Sequence, residues 1–140
     1  MKKWNTITES IDEITGEVLP YSKPKSEDFV IVFNSASHII ATNCTPTETK
    51  LLFALFKIVE YNTNRLHITS KRRIDLREII GGNKILNNSS FSIAFKGLIT
   101  KKIILEIDTN KILSPYFFWK GELHTRIKLL KIVLNDQLKK

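Results

Sequence analysis

The apolar positions of this chain keep different rhythms along its length, and each change of rhythm marks a boundary. Residues 1–27 keep none. Gly16, Pro20 and Pro24 stand there among polar side chains, which favours turns and extended pieces, so an extended N-terminal arm is expected. "DFVIVFNS", residues 28–35, is a short β-rich run and predicts a strand. Thr45-Pro46-Thr47-Glu48 then signals a helix start. The Thr caps the helix and the Glu reaches back to the cap N–H. Proline fits the first helical position because its missing N–H would have no partner there. Leu51, Leu52, Leu55, Ile58 and Val59 recur at helical spacing, which carries this helix to about residues 61–64.

"RLHIT", residues 65–69, predicts a short strand. Ser70 is placed to cap a second helix, "KRRIDLREII", with Leu76, Ile79 and Ile80 inward and Gly81-Gly82 as its stop. A third helix is expected over residues 88–100. There Phe91, Ala94, Phe95 and Leu98 fall at i, i+3, i+4 and i+7, one apolar stripe. "KIILEI", the turn-forming Asp108-Thr109-Asn110 and "KILSPYFFW" predict a β-hairpin. Residues 122–138 return to the helical period. Leu123, Ile127, Leu130 and Leu134 form one seam, and Leu129, Ile132 and Val133 widen it. Such a helix is either packed deep or shared with a second subunit.

Three helices, a small strand before the second and a hairpin after the third follow the order of a winged helix-turn-helix. The expected class is α+β, mainly helical, with a two-stranded wing and an added C-terminal helix. Three units are expected: an extended arm over 1–27, a DNA-binding winged domain over 28–121, and a C-terminal helix over 122–140 as a candidate dimerisation element.

Composition sharpens this picture. A chain of 140 residues that is 42% hydrophobic can bury a core. No apolar run approaches membrane-spanning length, and "MKKWNTITES" lacks the apolar core of a secretory signal, so a cytoplasmic protein is expected. Cys44 is alone, which offers neither a disulfide framework nor a zinc site. The net charge of +8 is uneven: residues 1–60 hold six Lys against eight acids, and residues 61–140 hold sixteen Lys or Arg against six. Such clustering is the electrostatic footprint of a nucleic-acid binder.

The third helix opens with Asn87, Asn88, Ser89, Ser90 and Ser92, and Lys96 lies one turn beyond Ser92. The second helix of a helix-turn-helix meets base edges with its N-terminal residues, and Asn can pair with adenine through two bonds. These six are the base-facing candidates, and one of Asn88, Ser89 and Ser90 is also expected to cap the helix. Lys71, Arg72, Arg73, Arg77, Lys84, Lys101, Lys102 and Lys111 are the phosphate candidates, which give affinity and position without sequence choice. Asp108 beside Lys111 would repel phosphate and weakens the wing tip. Catalysis is not expected. A nicking initiator would need a His-hydrophobic-His metal motif beside its tyrosine, and His38, His67 and His124 are far apart. Tyr21, Tyr61 and Tyr116 are then ordinary, with Tyr116 expected to pack with Phe117, Phe118 and Trp119. No P-loop, Gly-x-Ser-x-Gly or HExxH motif is present, so no cofactor or metal is expected.

"DEITGEVL" (12–19), the pattern Phe91…Ala94-Phe95…Leu98 and the closing "ILSPYFFWKG" (112–121) occur in that order. Together they resemble the RepL-type plasmid replication and maintenance proteins over roughly residues 11–121. That family has a "TGE-aliphatic" lead-in, a winged helix and a closing "aliphatic-x-Asn-Pro-aromatic…Lys-Gly" motif. Ser114 stands where the family has Asn, and the linker from Gly81 to Asn87 is longer than the usual tight turn. The resemblance implies an initiator that binds double-stranded DNA at its own origin and recruits host replication proteins. A winged-helix transcription regulator needs the same groove-reading helix and is the alternative. A protein-interaction module would instead turn residues 116–119 toward a partner.

Overall fold

A computed structural model of the chain describes residues 9–11, 18–20 and 29–139. Strands β1 (Glu9–Ile11) and β2 (Val18–Pro20) pair antiparallel, with Glu9 opposite Pro20. The remainder of the expected arm lies outside the described residues. Then come β3 (Ile31–Val32), α1 (Asn34–Asn43), α2 (Pro46–Leu55), α3 (Ser70–Gly81) and α4 (Asn88–Thr100). Strands β4 (Ile104–Ile107), β5 (Asn110–Leu113) and β6 (Phe118–Trp119) follow, and α5 (Leu123–Leu138) closes the order. Among the described residues this is a mixed α+β fold of five helices with antiparallel two-stranded pairs.

The core lies between α2, α3 and α4. Leu51, Leu52 and Leu55 meet Leu76 and Ile80 from α3 and Phe91, Ala94 and Leu98 from α4, all buried. The β4–β5 hairpin uses both of its faces, because neighbouring side chains on a strand point opposite ways. Ile104 and its partner Leu113 join the helical core. Leu105 and its partner Ile112 pack on Val133 of α5 instead.

The capping box of α2 is present as read. Glu48 N–H donates to Thr45 Oγ1 at 3.1 Å and Thr45 N–H donates to Glu48 Oε1 at 2.8 Å. The helix nevertheless ends at Leu55, well before residue 61. Ile58 and Val59 N–H both donate to Leu55 O, so Val59 reaches the core from a turn. Other expectations also change. The strand over 28–35 shortens to Ile31–Val32, paired with β6, and the chain turns helical at Asn34. Helix α1 was not expected; its signal was the short stripe Ala36, Ile39 and Ile40, which packs on the core, and it has no side-chain cap.

Of residues 65–69, Arg65 alone bridges to Ile112. The neighbouring bonds Leu113 N–H to Asn64 O (2.9 Å) and Leu66 N–H to Lys111 O (2.8 Å) still hold this segment along β5. Thr69 rather than Ser70 caps α3, accepting from Arg72 N–H at 3.2 Å. Ile79 is 49% exposed, since α3 meets the core on the narrow stripe of Leu76 and Ile80. The return strand ends at Leu113, and the chain turns at Ser114-Pro115 and crosses to β3. Ser114 O accepts from Phe117 and Phe118 N–H, and its Oγ accepts from Tyr116 N–H at 3.3 Å. That turn buries Phe118 and Trp119 and turns Tyr116 outward, away from the expected aromatic cluster. The α5 seam is not packed deep: Leu123, Ile127 and Leu134 are exposed and Leu130 is half-buried.

Two asparagines tie the hairpin's end to the helical core. Asn64, φ 56°, donates through Nδ2 to Leu113 O (3.0 Å) and Phe118 O (2.9 Å), and its Oδ1 accepts from Lys120 N–H (3.2 Å). Asn62, φ 67°, accepts from Glu122 N–H through Oδ1 at 2.8 Å. Both sit in the left-handed region, which Asn tolerates better than most residues. Gly121 has φ 145°, and a Cβ there would lie 2.2 Å from Asn62 Oδ1. Gly121 is therefore required by its close packing against this asparagine loop.

Candidate nucleic-acid interface

The linker between α3 and α4 is long but stapled. Leu86 N–H donates to Arg77 O at 3.0 Å, and Arg77 Nε donates to Leu86 O at 2.8 Å. A Cβ on Gly81 would come 2.6 Å from Leu86 N, so this approach requires glycine. Gly82, at φ 65°, reverses the chain after α3. Arg77 is thus committed to orienting the helix pair.

Asn87 caps α4, its Oδ1 accepting from Ser90 N–H at 2.7 Å, and so takes the role expected of Asn88, Ser89 or Ser90. Arg73 braces the start of α4 from α3. Its Nε donates to Asn88 Oδ1 at 2.8 Å, its Nη2 donates to Ser92 Oγ at 2.7 Å, and its guanidinium stands 4.4 Å from the Phe91 ring centroid. The two-bond pairing of Asn88 with adenine needs both ends of the amide, and one lone pair of Oδ1 already serves Arg73. Ser92 is likewise engaged. The side of α4 turned away from Phe91, Ala94 and Leu98 carries Ser89, Ile93, Lys96 and Thr100, all exposed. Ile93 was not among the expected site residues. Its position directly opposite the core stripe was the signal that could have found it.

The basic candidates divide by location. Lys71 and Arg72 are exposed on the first turn of α3, with Arg72 Nη1 donating to His67 O at 2.7 Å. Lys84 lines a groove with Lys50 and Asn87 beside the start of α4. Lys101 turns the other way and is ion-paired with Glu48, which takes it out of the phosphate set. Lys102 lines a cleft with Val133 and Gln137 of α5. Lys111 lies 3.3 Å from Glu106 on the hairpin.

A cleft of about 540 Å³ separates the hairpin tip from α4. Arg65, His67, Arg73 and Lys111 stand around it over a floor that includes Phe91 and Phe95, and no acid lines it. Arg65 and His67 were absent from the expected set; the pairing of residues 64–66 with β5, a contact of long sequence separation, brings them to the cleft. Arg65 also meets Glu60 at 3.4 Å in an exposed pair. Such a pair contributes little and can be traded for a phosphate.

Among the described residues no group of three His, Cys, Asp or Glu side chains could hold a metal ion. No helix among them is long and apolar enough to cross a membrane. No family model, curated protein or solved structure matches the chain.

Proposed function

We propose that the chain is a sequence-specific DNA-binding protein of winged helix-turn-helix type. In this reading α3 and α4 are the helix pair, β4–β5 is the wing and residues 64–66 are the small strand beside it. The observation that carries the reading is α4 itself. It is held by a core stripe on one side and by Arg73 at its start, and it presents Ser89, Ile93 and Lys96 outward on the opposite side. Lys71, Arg72, Lys84 and Arg65 would supply phosphate contacts, and Ser89 and Lys96 would supply hydrogen bonds to base edges. Burial of Phe118 and Trp119 weighs against an interaction module built on residues 116–119.

Together with the resemblance to RepL-type proteins, this points to a replication initiator or maintenance protein of a plasmid or mobile element, acting in the cytoplasm with host replication proteins. A transcription regulator would use the same helix, so the location of the bound site separates the two. An origin fragment that replicates when supplied only with this gene supports the initiator. Binding at a promoter alone supports the regulator, and the absence of any sequence preference overturns both.

The exposed seam of α5 supports a homodimer. Leu123, Ile127, Leu130 and Leu134 keep alternating spacings of four and three, the pattern of helix pairing. Sedimentation is expected to give a dimer for the wild type and a monomer for Ile127→Glu. A wild type that stays monomeric at high concentration removes this part of the reading.

A further inference from the structure

We propose that Ile93 reads the 5-methyl group of a thymine in the major groove, an inference that rests on the DNA-binding reading above. Ile93 is 69% exposed, and among the large apolar side chains described only Leu138, at the end of α5, is more exposed. A single exposed apolar residue is ordinary on a protein surface, so exposure alone decides nothing. The surroundings of Ile93 decide more. Ser89 lies one turn before it and Lys96 one turn after, both exposed, with Ser92 beside it held by Arg73. On this face Ile93 is an apolar group within a polar and cationic ring. A docking surface for another protein needs neighbouring apolar side chains, and the outward stripe of α4 offers none.

The chemistry of a base pair supplies what such a ring would meet. Thymine presents a methyl group beside the O4 acceptor, and an apolar side chain recognises that methyl while donors on either side engage the acceptors around it. Lys96 and Ser89 are such donors, one turn away in each direction. The bracing of Asn88 and Ser92 by Arg73 strengthens the argument. It engages two of the six polar candidates, Asn88 and Ser92, in holding α4 in place, and it leaves Ile93 between Ser89 and Lys96 on the outward surface. A β-branched residue is also a weaker helix former than Ala, Leu or Lys, so helix propensity gives no reason for isoleucine here.

The test begins with a site selected from a random DNA pool by the full-length protein. Each thymine in that site is then replaced singly by deoxyuridine, which removes only the methyl group. At one or two positions binding should weaken about fourfold, the value expected for one buried methyl group. Ile93→Ala should bind the thymine and deoxyuridine forms equally, with an unchanged salt slope, and Ile93→Val should keep part of the discrimination. The exposure of Ile93 makes both variants safe for folding, and circular dichroism checks it. A selected site at which no replacement matters, or at which Ile93→Ala keeps the full discrimination, overturns the inference while leaving the DNA-binding reading intact. A pool that yields no preferred site overturns that reading and this inference with it.

Discussion

Asn64→Ala is expected to lower the unfolding free energy by about 4 kcal/mol, enough to threaten folding in a domain of this size. The side chain is 1% exposed and makes three bonds, to Leu113 O, Phe118 O and Lys120 N–H. Truncation leaves those backbone groups without their partner, at about 1 kcal/mol or more each. Alanine must also adopt the left-handed conformation of Asn64, at about 1 kcal/mol. Asn64→Gly separates the contributions: it relieves the backbone and should recover about 1 kcal/mol of the loss. Urea unfolding reads both variants. A loss under 1 kcal/mol for Asn64→Ala would show that the segment beside β5 is not what holds the hairpin to the core.

Gly97→Ala should cost about 3 kcal/mol, and the cost should depend on pH. A Cβ at this position would fall 1.8 Å from Glu48 Oε2. A flexible side chain could simply move, but Glu48 is buried and held at both ends. It completes the capping box of α2 and pairs with Lys101. Burial pushes its carboxyl pKa up, while the Lys101 hydrogen bond and charge and the Thr45 bonds pull it further down, so the net shift is below the ordinary glutamate value. A lowered folded-state pKa means that ionised Glu48 stabilises the fold above the unfolded-state pKa. That contribution is lost as pH falls through the lowered folded-state value. Displacing the carboxylate in Gly97→Ala removes the contribution at neutral pH, so the gap to wild type should narrow below about pH 4. Unfolding curves at neutral pH and at about pH 3.5 test this. A gap that is constant across that range would mean the alanine acts by overpacking alone.

Most of α4 was legible in the sequence, and physics says why. Residues 88–100 have a strong apolar stripe and capping residues before it, and α4 spans Asn88–Thr100. The Thr45–Glu48 box was equally clear because its chemistry is local. Most of what escaped depends on distant partners. The end of α2 is set by a loop whose Asn62 and Asn64 bind residues 113–122, contacts of long sequence separation. The split of residues 111–119 between two sheets follows from the turn at Ser114-Pro115; Pro115, which has no N–H to give a ladder, was the local signal for that break. In the candidate interface, residue type suggested Asn88 and Ser92, but neither pattern nor spacing could reveal that Arg73 reaches across to both. The same limit applied to Lys101, whose partner Glu48 lies far away in the chain.

The proposal that α4 reads a DNA sequence can be tested on the intact protein. The most direct measurement is fluorescence anisotropy of the purified protein with labelled fragments of its coding region and flanks. It is run at two salt concentrations with excess nonspecific competitor. One fragment is expected to keep its binding through competition and higher salt, and Lys96→Ala is expected to erase this preference. Binding that disappears equally from every fragment as salt rises would mean phosphate attraction alone, and would overturn sequence reading by α4.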